Sequence, residues 1–151
     1  MKQAHIHIKN KKASHEYEFL QTFECGIVLT GTEIKSIRMG KASINEAYCY
    51  LHNGEVWVKG MHISTYSFAS YNNHDPLRER KLLLKGKEIA KIQEKLKDKG
   101  VTIVPLSVYV TGRGWAKVDI AIARGKKLHD KRDDLKQKDA KREMDKAMKR
   151  F

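Results

Sequence analysis

The sequence predicts a mainly β protein with helices: a small closed antiparallel barrel of the OB type, with about six strands and two or three helices, followed by a basic C-terminal tail. Three observations carry this reading. Short β-rich runs joined by hairpin signals fill the first 123 residues. Closure is how a small antiparallel sheet removes its edges, and the OB type is the commonest such barrel that binds nucleic acid. The 151 residues match the size of one domain, and 40% hydrophobic residues with 12 aromatics suffice for one core. The charge is uneven. Of 31 Lys/Arg and 18 Asp/Glu, net +13, the stretch Arg124 to Phe151 holds 12 and 6, a net of +6 in 28 residues, which leaves +7 for the rest. The expected organisation is therefore a barrel over residues 1–123 and a tail over residues 124–151 that is unstructured alone and helical when bound.

The elements follow in order. Tyr17 to Phe23 is β-rich with partial alternation, and Gly26 to Gly31 is a short apolar run between glycines, as in a strand or barrel bend. Thr32 to Gly40 reads as one helix, capped by Thr32, with Ile34, Ile37 and Met39 on its apolar side and Gly40 ending it. Ala47–Leu51 and Glu55–Lys59 flank His52-Asn53-Gly54, and Asn-Gly between β-rich runs is the strongest short hairpin signal. Tyr66 to Arg80 shows no period and is expected to be a long loop, often a functional feature in a compact domain. Leu82 to Lys99 carries Leu83, Ile89, Ile92 and Leu96 near the helical period, stopped by Gly100 and weakened at Gly86. Val101 to Val110 is β-rich, with Pro105 confined to an edge or bulge. Thr111-Gly112-Arg113-Gly114 turns the chain into an alternating strand from Trp115 to Ala123. The tail has helix-favouring composition and i,i+4 pairs such as Asp134–Lys138 and Asp145–Lys149, but its apolar residues are sparse. An isolated helix with so little to bury is marginal in water.

Several function classes are disfavoured. No apolar run approaches the roughly 20 residues that span a bilayer, and the N-terminus lacks a secretory apolar region, so a cytoplasmic protein without a membrane partner is expected. Cys25 and Cys49 form no C-x-x-C pair and the seven histidines no H-x-x-x-H pair, so neither metal nor cofactor is expected. Ser14-His15-Glu16, Asn73-His74-Asp75 and Leu128-His129-Asp130 place catalytic residue types side by side. Neighbours in a strand face opposite ways, however, and no nucleophile or phosphate-loop motif is present, so an enzyme is not expected. Four basic clusters point instead to nucleic acid: Asn10-Lys11-Lys12, Lys35 with Arg38, Arg78 with Arg80 and Lys81, and Gly125-Lys126-Lys127 with Lys131-Arg132. Tyr66, Phe68 and Tyr71 lie near the third cluster, where they either stack on bases or pack the loop onto the barrel.

Three strings, in order and spacing, resemble the SsrA-binding protein family (SmpB). They are Asn10 to Tyr17 continued by Phe23 to Arg38 (FECGIVLTGTEIKSIR), Asp75 to Leu84 (DPLRERKLLL), and Gly125 to Arg132 (GKKLHDKR). The resemblance implies an OB-type barrel and an RNA-binding adaptor of trans-translation that holds the tRNA-like part of transfer-messenger RNA. With that RNA it enters the A site of a stalled ribosome. It further implies that Glu24, Leu83 and Lys117 support RNA binding, with Asn10, Lys11, Lys126 and Lys127 adding backbone contacts; Lys35, Arg38 and Arg80 join them from the basic clusters. The tail, through Gly125, Lys126, Lys127, His129, Asp130, Lys131, Arg132 and Met148, would occupy the decoding centre and empty message channel against small-subunit RNA. The implied complex is one protein to one RNA, with elongation factor Tu reached indirectly through the charged RNA. Two departures stand out: the terminal pattern is shorter between Ala147 and Met148, and Cys25 replaces a usually small residue. A structural or assembly component of the ribosome is the alternative reading, and an RNA-processing enzyme a third.

Overall fold

The structure, a computed structural model, describes residues 6–69 and 73–126. Its elements run β1 (His7–Lys9), α1 (Ala13–Glu16), β2 (Tyr17–Ile27), α2 (Gly31–Arg38), β3 (Ala42–Ser43), β4 (Tyr48–His52), β5 (Glu55–Lys59), β6 (His62–Ile63), β7 (Arg80–Leu83), α3 (Gly86–Leu96), β8 (Val101–Val110) and β9 (Ala116–Gly125). Six strands close a ring in the order β8, β4, β5, β7, β2, β9, with β9 returning to β8, and every pairing is antiparallel. β1 extends the free part of the β8 edge, and β3 pairs with β6 as a separate ribbon. This is the closed barrel expected from the sequence.

Period-two alternation fills the barrel. Phe23, Cys25 and Ile27 of β2 point inward, as do Val56 and Val58 of β5, Leu82 of β7, and Val118, Ile120 and Ile122 of β9. The hairpin forms as the Asn-Gly signal requires. Asn53 at φ 50° and Gly54 at φ 73° give the twist that matches the flanking strands, with His52 opposite Glu55. Pro105 lies at a register shift between Pro105 and Ser107 on β8. There the outer edge of β8 changes partner, from β4 at Ile103 to β1 at Ser107–Tyr109. A residue without an N–H fits where the ladder is interrupted.

Three expectations shift. The cap of α2 is Thr30, not Thr32: the Thr30 hydroxyl accepts from the Glu33 N–H at 3.4 Å, and the Glu33 carboxylate accepts from the Thr30 N–H at 2.8 Å. A capping box needs an acidic residue three positions on, and Thr32 has Lys35 there. The helix expected from Leu82 begins only at Gly86, because Arg80–Leu83 is spent on β7, with Leu82 facing Ile27 and Val56 in the core. Last, the strand expected from Trp115 to Ala123 is β9 and runs two residues further, to Gly125, which pairs with Tyr17.

Candidate nucleic-acid interface

The antiparallel registers align one row of outward residues across the barrel wall. Leu83 of β7 sits opposite Gly26 of β2, Gly26 opposite Lys117 of β9, Lys117 opposite Tyr109 of β8, and Tyr109 opposite His7 of β1. The neighbouring row is Glu24, Asp119 and Ser107. Residues opposite one another share a face, so positions far apart in sequence converge. Glu24, Gly26, Leu83 and Lys117, with Leu84, Lys85 and Glu88, line a cleft of about 470 Å³. Gly26 shapes it: a Cβ there would lie 3.3 Å from the Leu83 Cβ, so its absence lets Leu83 lie across β2. Leu83 stays 50% exposed, an apolar side chain presented to whatever fills the cleft.

The polar groups of this wall are held in place. Tyr109 Oη donates to Glu24 Oε2 and lies 3.3 Å from Asp119 Oδ1, whose other oxygen accepts from Ser107 at 3.3 Å. Burial, then the hydrogen bond to Glu24 and the charges of Asp119 and Glu24, push the Tyr109 phenol above its ordinary value, so it remains a neutral donor. Lys117 is half-buried and makes no ion pair among the described residues. The cleft thus combines a fixed acceptor that suits base N–H donors, an ammonium that suits a phosphate, and an apolar Leu83. Tyr109, which orients Glu24, was not singled out by sequence reasoning, because the pairing that brings it there spans 85 residues.

The remaining candidates divide. Arg80 leaves the RNA-facing set: it is fully buried, its Nε bonds Glu33 at 2.5 Å, Nη1 donates to the Met61 carbonyl at 2.6 Å, and Nη2 to those of Asp75 and Pro76 at 3.3 and 3.2 Å. Arg78 Nη2 reaches the other oxygen of Glu33 at 2.5 Å. This ion pair ties the TGTE and DPLRER strings together. His74 makes a separate tie to the same helix, accepting from Thr32 Oγ1 at 2.8 Å on Nδ1 and donating from Nε2 to the Ile63 carbonyl at 2.9 Å. Asn10 organises its own loop. Its Oδ1 accepts from the Lys12 and Ala13 N–H groups and its Nδ2 donates to the Pro105 carbonyl at 2.9 Å, while Lys11 is exposed beside it.

Lys35 is exposed and stands 5.4 Å above the Tyr66 ring, so Tyr66 packs under a cation while Phe68 remains 76% exposed. Arg38 is exposed and donates to the Gly114 carbonyl at 3.0 Å. Lys126 closes the barrel seam, its N–H on the Glu16 carbonyl and its Nζ on the Ser14 carbonyl at 2.7 Å. Tyr71, Lys127, His129, Asp130, Lys131, Arg132 and Met148 lie outside the described residues.

Cys25 and Cys49 are buried, and burial pushes the Cys25 thiol up to about 12, so it stays a protonated thiol rather than a nucleophilic thiolate at neutral pH. Among the described residues no cluster of His, Cys, Asp and Glu is placed to hold a metal ion, and no helix is long and apolar enough to cross a membrane.

Residues 7–150 match the family model described as SmpB protein. The chain belongs to that family. Curated SsrA-binding proteins align over almost its whole length: that of Phocaeicola vulgatus is 57% identical over 150 residues, covering 99% of this chain and 100% of the relative. That of Cytophaga hutchinsonii is 58% identical over 139 residues, covering 92% and 91%, and that of Thermosynechococcus vestitus 51% over 142 residues, covering 93% of each. A solved chain from work on tmRNA–SmpB at the centre of the bacterial ribosome superposes with a TM-score of 0.67 at 43% identity, covering 80% of this chain and 85% of its own.

Proposed function

We propose that this protein is a non-catalytic RNA-binding adaptor of trans-translation, acting in the cytoplasm as one protein on one RNA. The barrel binds the tRNA-like part of transfer-messenger RNA, and the tail stands in for codon–anticodon pairing in the decoding centre and empty message channel of a stalled ribosome. Elongation factor Tu is met indirectly, through the charged RNA. The observation that carries this reading is the meeting of Glu24, Leu83 and Lys117 in one cleft, in a chain whose family contains SsrA-binding proteins. In this cleft Lys117 takes a phosphate, the Tyr109-held Glu24 accepts from a base edge, and Leu83 packs on the sugar or base. Lys11, Lys35 and Arg38 add positive field around it. Gly125, Lys126, Lys127, His129, Asp130, Lys131, Arg132 and Met148 serve the ribosomal contacts of the tail.

The test separates the two halves. Removing residues 127–151, which spares Lys126 at the barrel seam, leaves binding to the tRNA-like domain largely intact and abolishes peptide tagging on stalled ribosomes. Tagging at normal levels by the truncated protein overturns the role of the tail. For the barrel, Lys117→Ala weakens RNA binding and lowers the slope of log affinity against log salt by about 0.7–0.9, the contribution of one phosphate contact. An unchanged slope overturns that contact.

A further inference from the structure

The rim of the barrel carries a second opening beside the cleft. It is a groove of about 360 Å³ with an apolar floor of Ile27, Leu29 and Ile34 and a wall formed by Arg38, Arg113 and Trp115. Trp115 leaves 68% of its surface exposed, which is unusual for the largest apolar side chain in a domain with a well-filled core. Its place is set by the turn between β8 and β9, where the Thr111 N–H donates to the Trp115 carbonyl at 2.8 Å and the Gly114 N–H to the Thr111 carbonyl at 2.9 Å. Arg38, at the end of α2, is clamped on the same turn through the Gly114 carbonyl. Gly114 has φ 83°, and a Cβ there would lie 2.7 Å from Arg38 Nη2, so the guanidinium sits where a side chain would otherwise be. No acidic residue lines the groove, and neither arginine makes an ion pair among the described residues.

An exposed indole over an apolar floor, flanked by two guanidiniums without counter-charge, matches one ligand chemistry: a flat apolar ring joined to an anion. A nucleotide is that. Bases stack on aromatic faces regardless of sequence, and arginine takes phosphate in a forked geometry. An apolar peptide would leave both guanidiniums without a partner. The groove also neighbours the cleft, since Trp115, just ahead of β9, stands two residues before Lys117.

We propose that this groove takes an unpaired nucleotide of the RNA held by the Glu24–Leu83–Lys117 cleft, with its base stacked on Trp115 and its phosphate between Arg38 and Arg113. This rests on the RNA-binding reading of the barrel given above.

The experiment uses the full chain and the transcribed tRNA-like domain of transfer-messenger RNA as the probe. The chain has two tryptophans, so Trp57→Phe leaves Trp115 as the sole indole emitter, read by excitation on the long-wavelength side of tyrosine absorption. Saturation with RNA is expected to quench that emission. Trp115→Ala is expected to weaken binding about fivefold or more, the lower end for one stacked base, while Trp115→Phe keeps most of the affinity. Arg113→Gln is expected to lower the salt slope by about 0.7–0.9. Thermal melts confirm that these surface variants fold. Either unquenched emission at RNA saturation or unchanged affinity in Trp115→Ala overturns the proposal. Lys117→Ala, measured alongside, keeps the two readings apart. Loss with Lys117→Ala but none with Trp115→Ala defeats the groove alone, whereas no loss with either defeats RNA binding by this wall of the barrel.

Discussion

Removing the negative charge of Glu33 tests the joint that holds two of the family strings together. Glu33 and Arg80 are both fully buried, with their side chains 2.5 Å apart, and Arg78 reaches the second carboxylate oxygen. Glu33→Gln preserves shape but leaves the Arg80 guanidinium buried without an anion, a change that costs about 3–5 kcal/mol. Titration gives a second route to the size. Burial raises the Glu33 carboxyl, but hydrogen bonds from Arg78, the Thr30 N–H and Arg80 outweigh it and hold the group at about 2 against an ordinary 4.5. That gap corresponds to about 3 kcal/mol favouring the folded state, in agreement with the first figure.

For a folded unit of this size, with an unfolding entropy of about 2 cal/mol/K per residue, the loss lowers Tm by roughly 12–20 °C. Scanning calorimetry at pH 7 measures it. Because the folded carboxyl is depressed, its contribution is complete above pH 4.5 and fades as pH falls toward 2. The gap between the native chain and Glu33→Gln therefore narrows across that window. Adding Arg80→Met to Glu33→Gln removes the stranded charge and recovers much of the loss. A Tm drop under about 5 °C for Glu33→Gln, or a gap independent of pH between 4.5 and 2, refutes the reasoning.

Three further outcomes follow from other contacts. Tyr109→Phe frees the Glu24 carboxylate from its phenol donor, and is expected to weaken binding of the tRNA-like domain several-fold, by about 1 kcal/mol, in filter binding, with thermal stability nearly unchanged. Asn10→Ala removes the side-chain oxygen that accepts from two N–H groups and the bond to the Pro105 carbonyl; urea unfolding is expected to show a loss of about 1–2 kcal/mol. At Gly60, φ is 80° and a Cβ would lie 2.7 Å from the Glu46 carbonyl oxygen, so Gly60→Ala is expected to cost at least about 1 kcal/mol by the same measurement.

Where structure depends on neighbours in sequence, it was legible. The Asn53-Gly54 hairpin and the placement of Pro105 at an irregularity follow from backbone sterics, which act within a few residues. Misreadings arose where one local pattern served two ends. Leu82 and Leu83 fit a helical period as well as a strand, and only pairing with β2 and β5 selected the strand. Arg80 looked like a surface cation because charge is visible in sequence while its partner, 47 residues away, is not.

The amino-acid sequence was sufficient for the barrel class, the division of +13 into a basic body and a denser basic tail, and the resemblance that suggested an RNA partner. Composition, period and motif order are one-dimensional quantities, and a linear reading recovers them. It could not tell which side chains meet. Strand register put Leu83, Gly26, Lys117 and Tyr109 in one row, took Arg80 into the core, and set Trp115 beside Arg38 and Arg113 on the rim. Register is selected by burial of one face of each strand against all the others at once. The ring had to close before either the cleft or the groove existed.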